Sequence, residues 1–198
     1  MSEIARLRFR RADPLDAERI ASLHAESWRR HYRGAYSDSF LDGDVARDRL
    51  AVWSGRLRDP RADSATIVAE DDGALVGFAH TALDDDGTWG ALLDNLHVVS
   101  THQRGGIGAR LVEVTAGVVH DQRPGSGLYL WVLEQNRAAQ AFYAAIGGQC
   151  VGDGAVEPPG GDASRLAGSP RKLRFAWNAA SVTTLARPLG SGAPTEGP

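Results

Sequence analysis

The 198-residue sequence has one cysteine, Cys150, and one lysine, Lys172. A single cysteine excludes an intrachain disulfide and a cysteine-built zinc site, which fits a reducing compartment and predicts a cytoplasmic protein. No lysine stands near the glycine-rich turn at 105–108, so a Gly-x-x-x-x-Gly-Lys-Ser/Thr nucleotide loop is excluded there. No run approaches the ~18 consecutive apolar residues of a membrane span. Met1–Arg11 carries no apolar stretch of the secretory kind. A soluble protein without a membrane partner is expected. The formal net charge is -3, with acids interspersed among arginines, so there is no basic face for nucleic acid. His24, His31, His80, His97, His102 and His120 show no ligand spacing with carboxylates or Cys150, and no metal is expected.

What is present suits one core. A single domain is expected over residues 1–178. Residues 179–198, rich in Ala, Ser, Thr, Gly and Pro, predict a disordered tail. Leu7 and Phe9 alternate with arginines as a first strand. Asp13-Pro14 opens a helix that carries Ile20, Leu23 and Trp28 to about Tyr32. A second helix is predicted from Ser37 to Asp59, weakened at Gly43. Ala65–Glu70 and Leu75–Leu83 form a hairpin about Asp71-Asp72-Gly73. A fourth strand covers Leu92–Val99, and a helix follows from Gly105-Gly106 with Ile107, Leu111, Val114 and Val118 on one face. Gly127–Leu133 is a fifth, buried strand and Asn136–Ile146 a short helix; Gln149–Val151 and Leu173–Trp177 complete the sheet. Asp153–Pro170 is a long loop. The order β-α-α-β-β-β-α-β-α-β-β describes an α+β domain.

Strand, glycine turn and helix start at 98–108 together make an anion site. Free amides at a helix start point outward and the helix dipole adds partial positive charge. Gly105, Gly106 and Gly108 carry no Cβ to block a diphosphate, although an ordinary glycine-rich turn would share the pattern. A dinucleotide fingerprint fits less well. Leu111 occupies its third small position, and the unit lies mid-chain behind an antiparallel hairpin.

Gln103-x-x-Gly106-x-Gly108, preceded by Leu96-x-Val98, resembles the Gln/Arg-x-x-Gly-x-Gly/Ala loop of the GCN5-related N-acetyltransferase (GNAT) superfamily. Asn136-x-x-Ala139-x-x-Phe142-Tyr143, followed by Gly147, resembles that family's Asn-x-x-Ala-x-x-Phe-Tyr helix. The resemblance spans about Arg6–Trp177 and is strongest over Leu92–Gly148. It implies a GNAT-like three-layer α/β/α domain whose mixed, mostly antiparallel sheet is splayed between strands four and five. It also implies acetyl-CoA as co-substrate and direct transfer of acetyl to an amine, here a small molecule, with a homodimer possible as in other such transferases. A non-catalytic acyl-CoA-binding module and a protein N-terminal or lysine acetyltransferase are the alternatives.

The resemblance assigns roles residue by residue. Amides from Arg104 through Gly105, Gly106, Ile107 and Gly108 to Ala109 would bind the pyrophosphate. The backbone about Leu96, Val98 and Val99 would pair with the pantetheine arm, and Asn136, Ala139 and Tyr143 would complete the cofactor site. Tyr143 is the family's general acid toward the departing thiolate; packing beside Phe142 would equally explain a tyrosine there. The family's strand-four glutamate is absent, Leu92 standing in its place. Asp94, expected on the same face as Leu92, Leu96 and Val98, and Glu26 in the first helix are the candidate bases. Trp28 and Tyr32 are candidates for the acceptor pocket, although an aromatic stripe at helical spacing also fits a core.

Overall fold

The computed structural model describes residues 7–186. The strands β1 (Arg8–Arg11), β2 (Ser64–Asp71), β3 (Ala74–Asp86), β4 (Gly90–Val98), β5 (Leu128–Leu133), β6 (Gln149–Ala155) and β7 (Arg171–Trp177) form one sheet in the order β1-β2-β3-β4-β5-β7-β6. Every neighbouring pair is antiparallel except β4 and β5, which run parallel. The helices are α1 (Ala17–His31), α2 (Asp38–Asp42), α3 (Val45–Arg58), α4 (Ile107–Gln122), α5 (Arg137–Ala145) and α6 (Ala179–Ala186).

Strand alternation sorts the core into two layers. Val68 and Phe78 face α1 and α3, where Ile20, Leu23, Trp53 and Leu57 cover them. Ile67, Ala69, Ala79 and Leu93 face the other way, onto Ile107, Leu111, Val112 and Val119 of α4. A side chain at Gly77 would bring its Cβ within 3.1 Å of His97 O and 3.2 Å of Leu111 Cδ1, so glycine lets α4 lie close to the sheet. The β2–β3 turn is the expected two-residue hairpin. Asp71 pairs with Ala74, and Asp72 and Gly73 take φ of 48° and 81°, the left-handed pair that Asp-Gly tolerates.

A buried charge network locks α1 to the sheet edge. Arg10 donates to Asp16 Oδ2 at 2.6 Å and to Glu70 Oε1 at 2.6 Å, while the Asp16 side chain also accepts the backbone N–H of Asp13. Burial alone would raise the Asp16 carboxyl, but the hydrogen bonds from Arg10, Asp13 and Arg19 bring it down to about 2.

Three expectations need correcting. The helix predicted from Ser37 to Asp59 is two helices, broken where Gly43 takes φ -100° and ψ -97°. A Cβ at Gly43 would sit 2.7 Å from Ser39 O, so this break requires glycine. The loop predicted from Asp153 starts later, because β6 runs to Ala155 alongside β7. Residues 179–186, expected in a disordered tail, form α6, which is capped by Asn178 Oδ1 accepting Ser181 N–H at 2.9 Å. Val182 is buried against α4, supplying the apolar contact that composition alone concealed. Residues 187–198 of that expected tail lie outside the described residues.

Candidate active site

β4 and β5 pair only at Ala91 with Leu128 and Leu92 with Tyr129. Beyond Leu92 they part, and the gap between them is a cavity of about 760 Å³. The facing edge of β4 has no strand partner beyond Leu92. Val99 N–H donates to Val76 O at 2.9 Å on the β3 side, so alternation turns the N–H and C=O of Val98 and Leu96 toward the gap. Both residues line the cavity. Val99 does not, and its N–H is already committed to Val76.

At one end of the gap stands the start of α4. Gly106 is its N-cap at φ 83°, a left-handed conformation open to glycine, and no side chain caps this end. Arg104 also holds a positive φ, of 63°, a strained value for a residue with a side chain. Gln103 closes the turn, its Nε2 donating to Val98 O at 3.2 Å. The amides at the start of α4 thus have no side-chain cap, and uncapped amides at a helix start can bind an anion such as a diphosphate. Gln103, Arg104, Gly106, Gly108 and Ala109 line the cavity. Gly105 and Ile107 do not line it, and the Ile107 side chain is buried under the sheet.

α5 forms the far wall. Asn136 is its N-cap, accepting Ala139 N–H at 3.1 Å through Oδ1, so the capping role is filled. Its side-chain amide nitrogen makes no hydrogen bond among the described residues. Asn136, Ala139, Phe142 and Tyr143 line the cavity. Tyr143 is packed by Phe142, Phe175 and Trp177 at ring distances of 5.1, 6.0 and 6.3 Å. Burial holds its phenol well above the ordinary tyrosine value, so it stays protonated at any physiological pH. Packing and proton donation are thus compatible at this position.

The end opposite α4 is built by α1 and β4. Ser27 and His31 of α1 and Tyr32 at its C-cap line it, with Asp94, Asn95 and His97 from β4. Asp94 lies in the cavity but on a different face from the one expected. The β3–β4 register shifts there: His80 pairs with Asn95, while Thr81 pairs with Leu93. This bulge inserts Asp94 as an extra residue and resets the alternation. Leu96 and Val98 therefore pack toward α4, whereas Asp94 turns toward α3 and receives a hydrogen bond from Arg56 Nη1 at 3.0 Å.

The other two candidates sit elsewhere. Glu26 is exposed, pairs with Arg30 at 3.2 Å, and does not line the cavity. Trp28 is buried with Tyr36, Phe40 and Leu41 and serves the core; of the two expected pocket aromatics, Tyr32 alone reaches the cavity. Sequence reasoning missed Ser27, His31 and His97. Ser27 Oγ lies 2.7 Å from His97 Nδ1, and the His97 ring packs on Phe78 and His24 at 5.2 and 4.6 Å. Burial, reinforced by His31 and Arg49, pushes the His97 imidazole down to about 3, so it is neutral. The available signal was the i, i+4 spacing of Ser27 and His31 on one helical face.

Residues 21–147 match the profile of the Acetyltransferase (GNAT) family. A Mycobacterium tuberculosis protein bearing the name Probable N-acetyltransferase is 28% identical over 138 residues, 69% of this chain and 76% of that protein. Among solved structures, the PaiA N-acetyltransferase of Thermoplasma acidophilum in complex with coenzyme A superposes with a TM-score of 0.67 at 18% identity, covering 87% of this chain and 99% of that one. Salmonella typhimurium yncA with acetyl-CoA gives 0.61 at 18% identity, covering 88% and 95%. At these identities the structural likeness is one of fold.

Proposed function

The chain belongs to the acetyltransferase (GNAT) family, and from that premise we propose that it moves the acetyl group of acetyl-CoA onto the amine of a small molecule. The observation that carries this reading is the parting of β4 from β5 directly before the uncapped start of α4. Pyrophosphate oxygens would accept from the amides of 104–109, and the free edge at Leu96 and Val98 would hold the pantetheine arm as an added strand would be held. Acetyl-CoA would supply the activated thioester. Asn136 would offer its amide nitrogen to the arm, and the Val98 N–H would polarise the thioester carbonyl.

In the transfer, the amine lone pair attacks the carbonyl carbon, a C–N bond forms and the C–S bond breaks. Tyr143 would donate a proton to the leaving sulfur. A phenol raised by burial opposes that step at equilibrium, so its contribution depends on contact with the thiolate as negative charge develops. Of the two candidate carboxylates, Asp94 is the one that lines the cavity and is our assignment for contact with the acceptor.

Calorimetry with coenzyme A tests the reading. In a Gly108→Val variant the new Cβ would stand 3.4 Å from Phe142 Cζ and 3.9 Å from Val98 Cγ2, and its methyls would occupy the gap in front of the amides. The expected loss of affinity is about tenfold or more, equivalent to ~1.4 kcal/mol, with the melting temperature nearly unchanged. Equal affinity in parent and variant would remove the cofactor assignment.

A further inference from the structure

Free negative charge is scarce at the acceptor end of the cavity. Among the described residues that line it, Asp94 is the only carboxylate, and Arg56 holds it at 3.0 Å while also reaching Asn95 Oδ1 at 3.2 Å. The charged and titratable groups near Asp94 are Arg56 from α3, His80 from β3, and Tyr32 and Tyr36 from the segment that follows α1. Burial and Arg56 push the His80 imidazole down to about 4, against the opposing pull of Asp94. Burial, with Asp94 adding to it, raises the Tyr32 phenol to about 12. His31 is lowered by burial and by Arg30. His97 is held low by burial, with His31 and Arg49 adding to it.

These imidazoles are neutral and weakly basic. Passing a proton from an alkyl ammonium near ~10 to a group as weak as His97 is uphill by about seven powers of ten. The one carboxylate that could hold an ammonium already has a cation beside it. The walls that remain are flat and uncharged: Tyr32, His31 and His97.

We propose that this transferase takes amines that arrive uncharged, of the aromatic amine class, and that Arg56 sets this preference by occupying Asp94. The inference rests on the acetyl-transfer reading above. A neutral aromatic amine needs no base before attack. As its C–N bond forms and the C–S bond breaks, the nitrogen proton passes to water at the open mouth. The thiolate takes the Tyr143 proton, which solvent restores.

The test compares aniline and benzylamine as acceptors for the full chain with acetyl-CoA between pH 6 and 9.5. In the parent, kcat/KM for aniline is expected to be flat, while that for benzylamine climbs with pH in step with its own free-base fraction. Arg56→Gln should raise the benzylamine-to-aniline ratio at pH 7 by about fivefold, the scale of a partly exposed ion pair. Arg56→Lys should keep the parent ratio, which a purely structural role would not predict. A parent that prefers benzylamine at pH 7, and loses that preference in Asp94→Asn, overturns the inference alone. Absence of acetyl product from both amines despite tight coenzyme A binding overturns the transfer reading and this one together.

Discussion

Lowering the pH from 7 to 5.5 is expected to remove about 4 kcal/mol of stability through three histidines that the fold keeps neutral. His24 is fully buried, and its Nδ1 accepts Trp53 Nε1–H at 3.0 Å, leaving no site there for a second proton. Burial, with His97, Arg49 and Arg56 nearby, holds it well below the ordinary value. His80 and His97 are held at about 4 and about 3. In the unfolded chain each titrates near ~6.5. The unfolded state therefore binds more protons than the folded state between about pH 6.5 and 4, and stability falls as the pH drops through that window. At pH 5.5 each unfolded histidine gains about 1.4 kcal/mol from protonation, against about 0.2 at pH 7. Three such groups give a total that is a large fraction of the roughly 5–15 kcal/mol typical of a folded domain.

Carboxylates do not produce this limb. Asp16, held at about 2, contributes stability above the unfolded carboxylate range and loses it only as the pH falls below about 4. Urea titrations at constant ionic strength, followed by fluorescence of the five tryptophans, read the effect directly. His97→Gln should shrink the drop by about a third. A urea midpoint that is the same at pH 7 and pH 5.5 would refute the claim that these imidazoles are buried neutral.

Tyr143→Phe should lower kcat by ~10²-fold with coenzyme A affinity unchanged, since it removes a proton donor but not the packing against Phe175 and Trp177; steady-state kinetics with a competent amine decide it, and a change within about twofold would make Tyr143 a packing residue only. Asp16→Ala should cost about 3 kcal/mol at pH 7, because it strands the Arg10 guanidinium beside Glu70 without its second partner. The urea midpoint measures this, and a loss below about 1 kcal/mol would mean that the network is solvated.

The parts of this protein that were legible in its sequence are those built within a few residues. The Asp72-Gly73 hairpin, the Gly106 cap of α4 and the Asn136 cap of α5 each follow from local backbone demands. What was not legible depends on partners distant in the chain. α6 looked like tail because Ala, Ser and Thr dominate it, yet Val182 finds a buried place on α4 that no local pattern announces. Ser27 and His97 are 70 residues apart and meet only once α1 lies on the sheet. Arg56 of α3 reaches Asp94 across 38 residues.

The face of Asp94 was misjudged for a reason that also bears on function. Period-2 alternation assumes an uninterrupted strand, and β4 is interrupted at the residue where its chemistry changes. Toward α4 from the bulge, Leu96 and Val98 present backbone to the gap and side chains to the core. At the bulge itself, an extra residue turns a carboxylate toward α3. A regular strand would have kept a single alternation phase through to Val98, placing Asp94 on the face of Leu96 and Val98 beneath α4. On the proposed reading, the bulge would let a single strand serve cofactor and acceptor at once, and it lies just past the point where β4 parts from β5. The rule that fails along β4 fails at the site, which is where a departure from local regularity is expected to carry function.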